Sequence, residues 1–356
     1  MSARHNSYGG TKANGRIKNE AYFCLKKMKQ LLTYPDIDPQ QWQALIDRSP
    51  YATWFQTKEA YEFYASVSAE LFPFAIGVEE NGHLAGVIVG YTTQEKNPIK
   101  QYFTCRSIII GGPLLDEHIS NDALSALLLA AKRVTQNSIY VETRNFHNYS
   151  HWRDLFETCG FLYQPHNDIH VHCNATHTMS ERRQRELKRA VKNGAKIVGA
   201  SSKQEIRDWY QILSQLYRQK VRTPLWSEAF FLQFYRSGVG KYLLVKYQDK
   251  VIGGMMCPIL QGKAIYEWYV CGLDEEYKDL YPSVVATHAA IEYAKTNALP
   301  LFDFMGAGKP NVPYGVRDFK MEFGGELIEH GRFLCLRKPL LYQIGKLGVK
   351  WLKKFI

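Results

Sequence analysis

Between Leu301 and Leu327 the chain reads LFDFMGAGKPNVPYGVRDFKMEFGGEL. A glycine-rich break, Gly306-Ala-Gly308-Lys309-Pro310, is followed by Arg317, Phe319 and Lys320 and then by Phe323-Gly324-Gly325. Cationic side chains beside backbone that glycine lets approach closely suit an anionic or carbonyl-bearing substrate. The apolar run Leu301 to Met305 reads as the strand leading into the break, with Phe319 and Phe323 tying down the cationic segment.

The break is not a nucleotide loop. GxxxxGK[ST] requires an upstream glycine and a Ser or Thr after the lysine, and here both are missing and Pro310 follows Lys309. Gly306, Gly308 and Lys309 therefore read either as a turn whose amides face a substrate or as a plain strand exit. Four histidines, His166, His170, His172 and His177, fall within twelve residues, and His170 and His172 share a strand face. No carboxylate or cysteine pair completes a metal set, so they read as structural or surface histidines and no metal is expected. The seven cysteines lie far apart without a CxxC pair, which signals neither a disulfide framework nor a zinc site.

The bulk numbers narrow the class. At 356 residues, 46% hydrophobic and 22% charged, the chain suits an ordinary globular protein of two lobes, since single cores stop growing near ~250–300 residues. The formal net charge of +11 is uneven: Glu181 to Lys196 carries seven cations against two acids, which points to a polyanion or an anionic membrane as partner. The N-terminal stretch lacks an apolar signal region, and no run approaches the ~18 apolar residues of a membrane span. A cytoplasmic protein, peripheral at the inner face of the cell membrane, is the expectation.

The elements that must position these residues occur twice. Phe74 to Glu80 and Leu84 to Thr92 flank Asn81-Gly82 as a hairpin, and Tyr242 to Tyr247 with Val251 to Ile259 repeat it; placing Gly86 on Gly253 aligns them at an offset of 167 positions. A strand at Ser107 to Leu115, a helix near Asn121 to Gln136, a strand at Ser138 to Glu142 and Phe156 to Phe161 follow in the first half. Ala264 to Val270, Pro282 to Thr296, Leu301 to Met305 and Phe319 to Gly325 follow in the second. The expected division is a disordered tail at 1–16, a first domain at 17–178 with N-terminal helices including Glu20 to Leu32, a second domain at 179–338, and a basic amphipathic helix at 339–356.

Hairpin, strand, helix, strand and a Phe-x-x-x-Gly segment form the order of the GNAT acyltransferase fold, so the expected class is α/β (α+β), tandem duplicated GNAT-like domains with mixed sheets flanked by helices. A GNAT enzyme that uses coenzyme A carries a glycine-rich turn whose amides hold the pyrophosphate at a helix N-terminus. Here those turns read Asp116-Glu-His-Ile-Ser-Asn-Asp122 and Asp274-Glu-Glu-Tyr-Lys-Asp-Leu-Tyr-Pro282, acidic and without glycine, which argues against ordinary acetyl-CoA chemistry.

From about Ser49 to Arg337 the chain resembles the FemABX family, peptidyltransferases built from two GNAT-like domains that add amino acids to peptidoglycan precursors. The resemblance is carried by Ser49-Pro-Tyr-Ala-Thr-Trp-Phe-Gln56-Thr57, Gly112-Pro113-Leu-Leu-Asp116, Arg182 to Gly194, Tyr217-Arg-Gln-Lys220-Val-Arg222 and Tyr314-Gly-Val-Arg-Asp-Phe-Lys320 with Phe323-Gly-Gly325, taken in order. It implies aminoacyl-tRNA as the donor co-substrate, with no bound cofactor, and phosphate contacts by Lys and Arg. It also implies Lys320 as the ammonium that stabilises an oxyanion and Asp116 as the base or orienter of the attacking amine, unless Asp116 only caps the next helix. Lys220 and Arg222 match positions that bind acceptor phosphates, while Tyr266, Trp268 and Tyr269 either line an acceptor groove or pack in the core.

Three departures separate the chain from the family pattern: no lysine matches the family's other diphosphate contact after Gln56-Thr57, no long helical arm interrupts the second domain, and a basic segment precedes the first. The leading expectation is aminoacyl transfer to an amino group of a lipid-linked peptidoglycan precursor. An acyl-CoA or other thioester enzyme, and a non-catalytic RNA- or membrane-binding protein, are the alternatives. At the C-terminus Leu340, Leu341, Ile344, Leu347, Trp351, Leu352 and Phe355 form one helical stripe beside Lys346, Lys350, Lys353 and Lys354, which suits an anionic membrane surface or docking on the protein itself.

Overall fold

The computed structural model describes residues 29–175 and 178–352. In chain order the first half contains β1 (Lys29–Thr33), α1 (Pro39–Arg48), α2 (Lys58–Ser66), β2 (Leu71–Glu80), β3 (His83–Thr93), α3 (Pro98–Thr104), β4 (Ser107–Gly111), β5 (Leu114–Leu115), α4 (Asn121–Val134), β6 (Tyr140–Asn145), α5 (Arg153–Thr158), β7 (Leu162–Gln164) and β8 (Asn167–His172). The second contains α6 (Glu181–Lys192), β9 (Lys196–Gly199), α7 (Lys203–Leu216), a π-helical turn at Tyr217–Val221, α8 (Glu228–Ser237), β10 (Gly240–Tyr247), β11 (Lys250–Leu260), β12 (Ala264–Tyr266), β13 (Tyr269–Gly272), α9 (Pro282–Thr296), β14 (Leu301–Asp303), α10 (Gly315–Met321), β15 (Glu326–Glu329), β16 (Arg332–Leu336) and α11 (Pro339–Leu352).

Local chemistry accounts for most of these elements. Asn81 and Gly82 both take positive φ (57° and 79°) between β2 and β3, and Gln248 and Asp249 do the same between β10 and β11, so two-residue turns matched to strand twist close both hairpins. α2, α4 and α7 begin at hydroxyl caps, Thr57, Ser120 and Ser202, each accepting a backbone N–H of the first turn. The expected helix over Glu20 to Leu32 is overturned in its described part: Lys29–Thr33 pairs antiparallel with β2 from Lys29 opposite Glu80 to Thr33 opposite Ile76. The open edge of β2 offers five residues a ladder that a marginal helix end cannot match; residues 20–28 and the tail lie outside the described residues.

Among the described residues the strands form two mixed sheets of eight, in the orders β1-β2-β3-β4-β6-β16-β7 with β5 beside β3, and β15-β8-β14-β12-β11-β10-β9 with β13 beside β11. Sheet membership does not follow the linear division at 178. β8, from the first half, lies between β14 and β15, and β16, from the second, lies between β6 and β7. The exchange reaches the cores: Phe333 of β16 stacks on Phe156 at 4.1 Å in the first lobe, and Ile169 and Val171 of β8 are buried in the second. A third core joins the lobes, where Trp54, Phe55 and Phe63 meet Trp268 at 5.8, 5.1 and 6.0 Å between ring centres.

Each half of the chain therefore lacks an interior strand of its own sheet. Cut between residues 178 and 179, neither fragment is expected to give a cooperative thermal transition alone, and mixing the two is expected to restore one, as read by circular dichroism; two independent transitions from the separate fragments would contradict the exchange.

Candidate acyl-transfer cleft

β12 and β13 continue one line interrupted at Glu267-Trp268. β12 pairs with β14 in parallel from Ala264 opposite Leu301 to Tyr266 opposite Asp303, and there the pairing stops. β13 pairs with β11 on one side, and among the described residues no strand covers its other edge. A cavity of about 590 Å³ opens beside it, lined by Val270, Cys271 and Gly272 of β13, by Arg182, Arg183 and Glu186 of α6, by the end of α7 and the π-turn with Lys220, by Asp274, Ser283 and the start of α9, and by Gly315, Val316 and Phe319 of α10. An uncovered strand edge presents backbone N–H and C=O groups, which suit an extended acyl or peptide group with its own carbonyl.

The start of α9 is where a pyrophosphate would dock. There Asp274 Oδ1 accepts Ser283 N at 3.0 Å and Oδ2 accepts Ser283 Oγ at 2.5 Å. A carboxylate already occupies the helix end that would attract phosphate oxygens, and Glu275 beside it holds Lys220 at 2.5 Å. Arg183 is buried between α6 and α10, 2.5 Å from Glu186, 2.6 Å from Glu322 and 4.4 Å over the Phe319 ring. It fixes the angle of α10 and with it the cleft wall.

Lys320 faces the other way. Its ammonium lies 3.0 Å from Glu267 Oε1, 2.7 Å from the Phe304 carbonyl and 3.0 Å from the Gly306 carbonyl, so its three N–H groups all have acceptors. Phe319, not Lys320, lines the cavity. The expected oxyanion role is revised accordingly: as placed, Lys320 binds α10 to the Glu267 bulge and to the glycine turn. Gly306 N donates to Asp168 Oδ1 at 2.7 Å, Ala307 N donates to the Asn167 carbonyl at 2.7 Å, and Asn167 N donates to the Gly308 carbonyl at 2.8 Å. Arg317 donates to the carbonyls of Lys309 at 2.9 Å and Val312. The turn is thus held as a strand exit, with Lys309 exposed at its rim.

The other expected site residues separate. Asp116 follows β5 in the first lobe, where Oδ2 binds Arg48 Nε at 2.7 Å and Oδ1 accepts His118 N at 3.0 Å. Burial raises its pKa, but the Arg48 and His118 contacts outweigh burial and hold the carboxyl below the usual aspartate value. It borders a cavity of about 350 Å³ with Arg48 and His83, distinct from the cleft that Phe319 lines. Lys220 lines the large cleft while Arg222 borders another cavity of about 380 Å³ with Tyr217 and Arg218. Tyr266 is buried, 5.4 Å from Phe55, and Tyr269 packs 5.1 Å from Phe231, so with Trp268 they build the interlobe core rather than a groove. The first-lobe motifs latch together: Gln56 Nε2 donates to the Gly112 carbonyl at 2.9 Å and Ser49 Oγ to the Leu115 carbonyl at 2.6 Å. Gly111, at φ 84°, is obligatory there, since a Cβ would come within 2.4 Å of Thr53 Oγ1.

A buried ionic cluster lies behind the cleft, and sequence reasoning missed it. Asp168 and His170 come from β8 and Asp303 from β14; one ligand atom of each lies within 4.8 Å of the others, a spacing able to share a cation. One carboxylate, Asp168, lies within the histidine segment itself, and the second, Asp303, is supplied across the sheet; His172 instead lies 3.5 Å from Glu326, and His177 is outside the described residues. His170 Nε2 stands 3.2 Å from Asp303 Oδ2 but misaligned for a hydrogen bond. Burial and the Asp303 charge push Asp168 up to about 8, whereas His170 and the Met305 amide hold Asp303 below its usual value despite burial. Burial lowers His147, His166 and His330 to about 4.

These shifts set a stability maximum. His147, His166 and His330, depressed from 6.5, contribute stability that is present above 6.5 and lost as pH falls toward 4. Asp168, raised from 3.8, and His170, raised from 6.5, contribute stability that is lost as pH rises, for Asp168 through about 8. The three histidines outnumber Asp168 on the acid side, so Tm is expected to peak near neutral pH, and Asp168→Asn is expected to flatten the alkaline decline; a Tm still climbing past pH 8 would refute the assignment. Lys320→Met strands Glu267, the buried Phe304 carbonyl and the partly buried Gly306 carbonyl and is expected to cost about 3–5 kcal/mol in urea unfolding, part of it recovered in the double variant with Glu267→Gln.

Residues 179–321 match the family model described as an acetyltransferase (GNAT) domain. No curated protein matches the sequence. Among solved structures the chain is similar to FemX, at 15% identity and a TM-score of 0.67, with 88% of this chain and 99% of that one covered. It is similar to L-PGS from Bacillus licheniformis at 14% identity and a TM-score of 0.55, covering 85% and 92%. A tandem GNAT protein from the clavulanic acid biosynthesis pathway gives 11% identity, a TM-score of 0.55 and coverage of 87% and 98%. The expected fold is borne out: two mixed sheets flanked by helices, with the cleft where the second sheet splays, make this a FemABX-like double GNAT fold.

Proposed function

We propose that the protein is an N-acyltransferase of FemABX type that moves an aminoacyl group from aminoacyl-tRNA to an amino group of a lipid-linked peptidoglycan precursor. The observation that carries the reading is the composition of the 590 Å³ cleft. It keeps an open strand edge for an acyl group, while Asp274 fills the helix end that coenzyme A pyrophosphate would need. A donor whose phosphates bind elsewhere fits both features. Arg182 of α6 lines the cleft, and Arg185, Lys188 and Lys192 are exposed along the same helix and suit a ribose-phosphate backbone.

In this reading the acceptor amine attacks the aminoacyl ester carbonyl. A C–N bond forms, the C–O bond to the ribose breaks, and the ribose oxygen leaves with the proton that the amine gives up. Backbone amides along β13 are suited to the developing oxyanion, and Lys320 acts as a positioning residue by tying α10, the Glu267 bulge and the glycine turn into one wall. The lipid-linked acceptor accords with the amphipathic C-terminal segment, of which α11 is the described part, and among the described residues no helix is long and apolar enough to cross a membrane.

Charged tRNA is expected to raise Tm, coenzyme A and acetyl-CoA to leave it unchanged, and precursors from cells with the protein to carry an added residue by mass spectrometry. A rise with coenzyme A alone would turn the reading to a thioester enzyme, and binding of RNA or lipid without turnover of any donor would turn it to a binding protein.

A further inference from the structure

We infer that the first lobe carries the surface that meets the membrane: α3 and the start of α11 form one apolar face, rimmed by lysines, that fits a bilayer containing anionic lipid. The inference rests on the lipid-linked acceptor proposed above and adds which face of the protein the lipid touches.

Topology brings the parts together. In the first sheet Leu71 lies opposite Thr93, Thr92 opposite Ser107, Ser107 beside Val141 and Leu336 opposite Tyr140. The start of β2, the end of β3, the starts of β4 and β6 and the end of β16 therefore share one end of that sheet. α3 is the β3–β4 connection at that end, and α11 leaves β16 there. Lys338 Nζ lies 4.6 Å over the Tyr102 ring and Tyr342 packs 5.4 Å from Tyr140, so the two helices adjoin rather than merely point the same way.

What they present is apolar and uncovered. α3 buries none of its residues, although Asn97 caps it through Ile99 N and Lys100 N and Gln101 anchors it to Thr93 and Glu95. Ile99, Tyr102 and Phe103 are 72%, 53% and 53% exposed, and Leu340 and Ile344 are 82% and 58% exposed. Single exposed apolar residues are ordinary, but five from two adjoining helices at one end of the sheet, serving no core, form a patch that calls for a partner.

Charge selects that partner. Lys96, Lys100 and Lys346 are exposed around the patch and Lys338 is partly so, while Glu95 is already engaged by Lys100 at 2.8 Å. Aliphatic lysine stems beside aromatic rings suit the boundary between acyl chains and anionic headgroups, where ammonium groups reach outward.

The test is flotation of the full-length protein with phosphatidylglycerol-containing vesicles against pure phosphatidylcholine vesicles, for wild type and the triple variant Ile99→Ser/Tyr102→Ser/Phe103→Ser. Because all three side chains are exposed, Tm is expected to be unchanged. Wild type is expected to float only with anionic vesicles and to be released by salt, and the variant to bind roughly tenfold more weakly or worse. A variant that floats like wild type, or a wild type that floats with neither vesicle, overturns the proposal. So does a variant that changes oligomeric state in gel filtration while flotation is unaffected, which would make the patch a self-association face. Transfer from charged tRNA to a water-soluble precursor, measured in parallel, is expected to be unimpaired in the variant. Absence of transfer in wild type would sink the functional reading, while flotation alone decides this one.

Discussion

Each sheet of this protein is completed by a strand from the opposite half of the chain. An interior strand bonds along both edges and buries side chains on its faces, so removing β8 or β16 would open two ladders and hollow a core at once. Phe333 on Phe156, and Ile169 and Val171 among the second-lobe aliphatics, make the exchange part of the packing. With the Trp54–Trp268 aromatic cluster between them, the lobes have little freedom to slide, and whatever binds at either meets a fixed frame.

The exchange also explains where the buried charges lie. β8 carries Asp168 and His170 into the second sheet beside Asp303, and Asp168 then reaches the Gly306 amide, whose carbonyl is held by Lys320. Glu267 meets Lys320 from the β12–β13 bulge. Charged groups so deeply placed are tolerable because each has an opposite charge or a hydrogen-bond partner in reach. The cluster stiffens the back of the cleft, and the wall that faces a substrate is left to β13, α6 and α10. The same crossover delivers α11 to the first lobe, beside α3, though it follows the second half in sequence.

Much of this was legible in the residues. The repeated hairpins, each closed by residues that accept positive φ, the hydroxyl helix caps and the apolar strands announce two similar α/β units, because turns, caps and alternation are local properties. The acidic turn at Asp274 was readable for the same reason: a carboxylate at a helix start acts on the nearest amides. The helix expected at Glu20 to Leu32 failed where a nearby strand edge, invisible in sequence, offered Lys29–Thr33 a better set of partners.

By itself, then, the sequence determined the two-fold repeat, the order of elements within it, the excess of cations and the acidic, glycine-free turn before α9, each set by residues close together in the chain. Only the tertiary structure decided which sheet β8 and β16 complete, that Lys320 spends its donors on Glu267 and two carbonyls, that Asp116 and Phe319 border different cavities, and that Asp303 joins Asp168 and His170. Those outcomes depend on hydrogen-bond and charge partners brought together by the fold, from 14 residues apart for Lys320 and the Gly306 carbonyl to well over a hundred for the exchanged strands, for which neither periodicity nor spacing along the chain carries a signal.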